Sequence, residues 1–273
     1  MKQKTLFTFI GILMIFAIFG PFQSWKKNSI ISRQQSSIDS LTLALIKTKA
    51  EKDNLEQKLY KIHTIKFKRT FNTFKKYNPL IDTSTVETFL KVIQFYKLDS
   101  TTSLFNMCIA QLCHESGAKH HIKNKVIESN GNALGISQIV PTTAFQYLRY
   151  TLSEKEKENM IKLGATPFRW IKKYNYKYKE VIYEDSTVTN LPYVGPYART
   201  EIKNWLYSET NNIILWGYIM KHTLEANNYN LNKSLLTYNQ GQGFVFKYIK
   251  KGGNVWEHDY VQKINWISKN INT

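Results

Sequence analysis

Between Lys26 and Asn78 the chain contains neither proline nor glycine. A run of that length offers nothing that breaks a helix or releases the backbone into a turn. Inside it, over residues 34–76, Ile38, Leu41, Leu45, Leu55, Leu59 and Ile62 fall on alternating steps of three and four, interrupted by Thr48 and Lys52. Charged and polar residues fill the remaining positions. The spacing predicts a helical stalk over 28–78 with a short seam of heptad type. Two uses of that seam stay open. It can pack on the domain that comes after it, or it can join two copies as a homodimer.

The stalk follows an uncharged stretch. Leu6 to Phe22 carries no charge and a single Thr, with Lys2 and Lys4 before it and Lys26 and Lys27 after it. As a helix, its 17 residues reach about 25 Å, just under the ~30 Å of a hydrocarbon core. Trp25 can extend the span at the interface. No small-x-small cleavage pattern closes the stretch, which ends Phe19-Gly20-Pro21-Phe22. It therefore reads as a retained membrane anchor over 1–27, not a cleaved signal; if it were cleaved the chain would be secreted. Lysines on the two flanks nearly balance and leave orientation open.

The net charge of +18 invites a nucleic-acid reading, but its make-up argues against one. Only five of the 38 basic residues are Arg, the side chain best suited to bidentate phosphate and base contacts. Residues 1–80 hold 15 positive and 4 negative side chains, a net +11. The rest of the chain carries +7, which suits a polyanionic or membrane surface better than a base-reading interface. Two cysteines exclude a disulfide scaffold. The 14% aromatic content excludes global disorder.

Pro79 opens the domain expected over 79–273. Ser84-Thr85-Val86-Glu87 has the form of a capping box before a helix at about 85–97. A second helix is expected from Ser100 to Glu115, and others from Pro141, from Ser153, and over about 209–227, 231–239, 241–250 and 255–269. Residues 165–208 read differently. Tyr174, Tyr176 and Tyr178 alternate with strand period, and Pro192, Gly195 and Pro196 interrupt the segment further on, so an irregular insertion with a hairpin is expected there. The fold class is mainly α, with a small hairpin and loop region.

Glu115 carries the chemistry of the chain. It ends an apolar helix, where the negative pole of the helix dipole and burial both favour the neutral acid. A carboxylic acid kept protonated near neutral pH is what general-acid cleavage of an acetal requires. By position alone it reads rather as a solvated helix end. Its neighbours decide between these. Glu115-Ser116 is followed by Ser129, then by Gly135-Ile136-Ser137-Gln138-Ile139-Val140-Pro141-Thr142-Thr143-Ala144, and about 100 residues later by Leu236-Thr237-Tyr238-Asn239-Gln240-Gly241.

These blocks, in this order, resemble the lytic transglycosylases. That family has a Glu-Ser pair, a Gly-Leu-Met-Gln-x-x-Pro-x-Thr-Ala block and an Ala-Tyr-Asn-x-Gly block on a lysozyme-like fold. The resemblance covers about 85–255 and also takes in Asn212-Ile213 and Gly217. It implies that Glu115 is the single catalytic acid. It implies that Ser129, Ser137, Gln138, Tyr238 and Asn239 contact substrate, and that the substrate is a peptidoglycan glycan strand. Ser137 stands where the family has Met, and the loop after Glu115 is about five residues longer than usual. In the family the 2-acetamido group of the sugar supplies the second catalytic partner, and a 1,6-anhydro end forms with no water, metal or cofactor. The catalytic domain would then face the periplasm or the cell exterior.

Two other readings belong beside this one. Goose-type lysozymes, which hydrolyse the same bond, add a second carboxylate, and Glu128 is the candidate for it here. A non-catalytic peptidoglycan-binding or assembly module would keep the fold without the reaction. A zinc site at His114-Glu115 is disfavoured, because the second histidine of that motif would fall at Ala118. Cys108 and Cys113, five apart on one helix, are poorly placed for a disulfide.

Overall fold

The computed structural model describes residues 32–122, 125–129, 132–148, 151–167 and 200–271 in full, and the backbone alone of residues 2–31, 149–150, 178–182, 188–192, 196–199 and 272. The chain is mainly helical. Helix α1 is a single element, Lys2–Tyr77; it takes in the expected stalk, whose lack of proline and glycine permits an unbroken helix, and also Gly11, Gly20 and Pro21 before it. The expected membrane segment at residues 6–22 lies outside the fully described residues. Among the described residues, no helix is long and apolar enough to cross a membrane.

Contacts divide the chain into two units, Met1–His63 and Thr64–Thr273. In the first, every side chain from Ser32 to His63 is exposed, the seam residues Ile38, Leu41, Leu45, Leu55, Leu59 and Ile62 included. The second unit begins inside α1 and not at residue 79. The cause lies in the last turns of the helix: Thr70, Thr73 and Phe74 are buried, and the Phe74 ring meets Phe89 edge-on at 5.3 Å.

Helix α2, Thr83–Phe95, starts two residues before the expected position. Its N-cap is Asp82, whose Oδ1 accepts the Ser84 N–H at 3.0 Å, so the anticipated capping box on Ser84 is not the one used. Helix α3, Thr102–Ser116, is capped by Thr101 and buried at every position from Leu104 to Cys113. A helix apolar on all sides belongs at the centre of a domain, and α3 takes that place. A short hairpin of β1 (His121–Ile122) and β2 (Lys125–Val126) comes next. Then come α4 (Pro141–Gln146), a turn of π-helix (Tyr147–Thr151) and α5 (Glu154–Lys162). The capping box at the start of α5 is formed by Ser153 and Glu156.

The segment 165–208 is half as expected. Strands β3 (Tyr178–Ile182) and β4 (Val188–Pro192) form an antiparallel hairpin, with Glu180 opposite Asn190. Tyr174 and Tyr176 lie outside the described residues. Pro196, expected to interrupt, instead opens helix α6, Pro196–Leu206. Proline is well suited to a first helical turn, where its missing N–H is not needed. Ile202, Trp205 and Leu206 on α6 are buried in the core, so this helix belongs to the fold proper.

Helices α7 (Glu209–Ala226), α8 (Leu231–Gln240) and α9 (Gln242–Lys250) complete the middle of the domain. The last expected helix is split into a 3-10 turn, Val255–Glu257, and α10, Asp259–Lys269, which His258 caps. Helix α10 packs on α3 and α8, and α2 packs on α7. The α2–α7 approach is close: a Cβ on Gly217 would meet Val92 Cγ1 at 2.2 Å. Phe89 stacks on Trp216, with centroids 5.5 Å apart, which ties the aromatic cluster of α1 and α2 to the centre of α7.

Candidate active site

Glu115 lies in the last turn of α3 and is half-buried. The helix ends one residue beyond Ser116, at Gly117, which adopts the left-handed conformation and donates its N–H to Cys113 O at 2.9 Å. Gln111 lies one turn before Glu115 on the same face. From α10, the Tyr260 hydroxyl donates to Glu115 Oε1 at 2.5 Å. The Gln111 amide donates to that same hydroxyl at 3.3 Å, and the Trp216 indole donates to Gln111 Oε1 at 3.2 Å. Burial pushes the Glu115 carboxyl up to about 7, and the Tyr260 hydrogen bond moderates that rise.

This shift has a sign that stability measurements can read. A carboxyl that titrates higher in the folded chain than its ordinary 4.5 binds more protons folded than unfolded. Ionising it costs the fold stability as pH rises from about 4.5 to about 7. The full effect is at most about 3 kcal/mol. Glu115→Gln is therefore expected to raise the urea midpoint at pH 8, with the gain shrinking towards pH 5. A gain of equal size at both pH values would count against a buried titrating carboxyl.

The turn Gly135–Gln138 lies beside Glu115, between the bridged residues Leu134 and Ile139. Side chains from three helices and from the loop after α3 hold its backbone. Asn212 on α7 accepts the Ser137 N–H at 3.0 Å and donates to Leu134 O at 2.9 Å. The Ser116 hydroxyl donates to Ile136 O at 2.7 Å. On α8, the Tyr238 hydroxyl donates to Ser137 O at 2.7 Å. His120 Nδ1 accepts the Ile136 N–H at 3.2 Å, so the ring proton sits on Nε2 and is donated to Tyr207 O at 2.9 Å. Burial lowers the His120 pKa to about 4, which keeps this ring neutral and its tautomer fixed. Ser116 thus fastens the residue next to the acid directly to the turn.

The expected site residues differ in how they are held. Glu115, Tyr238 and the turn with Ser137 and Gln138 come together. Tyr238 titrates well above its usual range because it is buried and because Glu115 is near. Ser137, expected to contact substrate, is fully buried, and its hydroxyl donates to Asn212 Oδ1 at 2.5 Å. It is a turn anchor, a role that needs a polar side chain. Gln138 holds a positive φ of 51° and donates to Gly135 O at 2.8 Å. Asn239, exposed, lines with Tyr238, Tyr147 and Gln146 a cavity of ≈ 540 Å³.

Ser129 and Glu128 lie on the segment that pairs with the entry to the turn, with Glu128 bridged to Leu134. Ser129 is exposed, and its Oγ accepts the Ala133 N–H at 3.1 Å, the local bond of a turn former. Glu128 is paired with Lys203 at 2.6 Å at the surface, an interaction worth about 1 kcal/mol or less. Among the described residues no group of three or more His, Cys, Asp or Glu side chains could hold a metal ion. Cys108 and Cys113 are free and buried, and burial pushes both thiols up, out of the reactive range.

Sequence reasoning missed Tyr260, Gln111 and the bracing roles of Asn212 and His120. Tyr260, Val261, Ile264 and Ile267 form one apolar stripe on α10, which reads as ordinary core. Gln111 did carry a signal: with Asn106 it is one of two polar amides in the buried stretch of α3. Comparison with known proteins adds nothing to the geometry. No family model, no curated protein and no solved structure matches this chain.

Proposed function

We propose that this chain is a membrane-tethered lytic transglycosylase with a lysozyme-like catalytic domain, cleaving the β-1,4 bond between N-acetylmuramic acid and N-acetylglucosamine in peptidoglycan. The observation that carries the reading is Glu115: a half-buried carboxyl, titrating near 7, held by a tyrosine beside an anchored turn. Near neutral pH such a group is divided between acid and base, and a single residue can serve in both steps.

Glu115 first gives its proton to the glycosidic oxygen as the C1–O bond breaks. The acetamido oxygen of the substrate meets the electron-poor C1. The Glu115 carboxylate then takes the proton from the O6 hydroxyl, O6 bonds to C1 as the acetamido oxygen leaves it, and the anhydro ring closes with Glu115 protonated again. No water is consumed. A hydrolase would require a second carboxylate holding a water, and Glu128, the candidate, is engaged by Lys203. The site is assigned to the periplasm or the cell exterior, where its substrate lies.

Digestion of purified peptidoglycan followed by mass analysis of the muropeptides tests the assignment. An anhydro end, 18 Da lighter than the hydrolysis product because one water is not added, supports it. A reducing end makes the chain a muramidase of goose-lysozyme type. Absence of any product with intact binding makes it a wall-binding module.

The exposed seam of α1 suits pairing of two copies through residues 38–62. Leu41→Cys is expected to form a disulfide-linked dimer under mild oxidation, since Cys108 and Cys113 are buried. Leu43→Cys, equally exposed but off the seam, should cross-link far less. Equal cross-linking at both positions would argue for random collision.

A further inference from the structure

The hydrogen bonds running from Trp216 through Gln111 and Tyr260 to Glu115 have a direction that the chemistry of their groups fixes. An indole N–H only donates. The Gln111 atom facing it, 3.2 Å away, is therefore the carbonyl oxygen, which settles the amide orientation without recourse to other neighbours. The amide nitrogen then faces Tyr260 Oη, at 3.3 Å, and can only donate. With a donor pointed at its oxygen, the Tyr260 hydroxyl turns its own proton away, towards Glu115 Oε1 at 2.5 Å. Trp216 and Gln111 are fully buried and Tyr260 nearly so, so water does not compete for these bonds.

We infer that Gln111 is a positioning residue that polarises the Tyr260 hydroxyl towards Oε1 and thereby reserves Oε2 of Glu115 for the transferable proton. The inference rests on Glu115 being the acid of the proposed reaction, but the chain of bonds is testable without substrate. A proton on Oε1 would face the Tyr260 proton, and turning Tyr260 round would face it against the Gln111 amide. Either arrangement leaves two donors opposed in a buried site, which is costly. The Glu115 proton therefore belongs on Oε2. The donor row also favours the ionised carboxylate, since each donor strengthens the next. It opposes the burial that raises the Glu115 pKa, and so keeps the group available to act as a base.

Gln111 has a polar role that core packing alone would not require. A methionine of similar length would fill the same space on α3 without leaving a buried amide to satisfy. It would also leave the Trp216 indole without an acceptor and the Tyr260 hydroxyl free to rotate.

The experiment is NMR on the full-length chain in detergent micelles, with carboxyl-labelled Glu and indole-labelled Trp. Glu115→Gln identifies the Glu115 signal. In the unaltered chain, one of the six Trp indole signals, assigned to Trp216 by its loss in Trp216→Phe, is expected to shift with pH at the same midpoint as the Glu115 carboxyl. In Gln111→Met the carboxyl midpoint is expected to rise by about 0.5 or more. The alkaline limb of any wall-cleaving activity should rise with it. An indole signal flat across that pH range overturns the inference, and so does an unchanged carboxyl midpoint in a folded Gln111→Met chain. The indole titration is read in the unaltered chain and does not depend on Gln111→Met folding. If the protein fails to cleave peptidoglycan, the proposed reaction falls while these midpoints still report on the donor row.

Discussion

Glu115→Gln is expected to slow peptidoglycan cleavage by about 10³-fold or more while the chain stays folded. Gln keeps the size of the side chain and can still accept from the Tyr260 hydroxyl through its carbonyl oxygen. It can neither release a proton to the glycosidic oxygen nor take one from O6, so both halves of the proposed reaction are lost together. Clearing of wall material in a gel, with the unaltered chain beside the variant, measures this directly. Equal clearing by the two chains would place the chemistry on another residue. Because the substitution also removes a buried ionisable group, the dead variant should be the more stable of the two at pH 8. Misfolding would produce the opposite pairing of effects, so the two measurements together separate loss of chemistry from loss of structure.

Gly135→Ala should be nearly as damaging, for a different reason. Gly135 has a φ of +71°, and an added Cβ would meet His120 Cε1 at 2.5 Å and Asn212 Nδ2 at 2.7 Å. These are the side chains that hold the turn. They cannot withdraw without giving up bonds to Ile136, Ser137 and Leu134. A strained backbone, a steric clash and several broken buried hydrogen bonds add to a loss of about 3 kcal/mol or more. Gly243→Ala is the control. Gly243 lies in α9, and a Cβ added there would meet nothing within 4 Å. The change should be neutral or stabilising by up to about 1 kcal/mol. Chemical denaturation of the three chains checks both statements. A Gly135→Ala midpoint equal to that of the unaltered chain would mean that the turn is far looser than its bonds indicate.

The helices are readable where periodicity, caps and breakers agree. The break-free run predicts α1, Ser153 with Glu156 predicts α5, and the apolar stretch before Glu115 predicts α3. Reading fails where one residue type has two uses. Pro196 reads as an interruption, yet a proline is also at home in the first turn of a helix, and the buried face of α6 shows which use applies. Ser84 and Asp82 are both competent N-caps, and only the backbone reveals which is used. The end of the stalk cannot be located from sequence because the helix itself does not change at residue 64. What changes is the neighbourhood, once Thr70 and Phe74 find α2.

The site is legible in its local blocks and hidden in its long-range bonds. Glu115, Tyr238 and the 134–139 turn each stand in a recognisable local pattern. Ser137 misleads because the resemblance reads its hydroxyl as facing substrate, whereas it turns inward to Asn212. Tyr260 lies 145 residues from the acid it touches, and no local pattern distinguishes it from the core residues one turn away.

That separation has a consequence for how the chain is made. Glu115 owes part of its seclusion to α10, which docks on α3 from the far end of the domain. A chain halted or clipped before Asp259 would still carry Glu115, but without the Tyr260 hydroxyl and without the packing of α10 on α3. During synthesis the surroundings that raise the Glu115 pKa are therefore completed only when α10 has been made and has docked on α3.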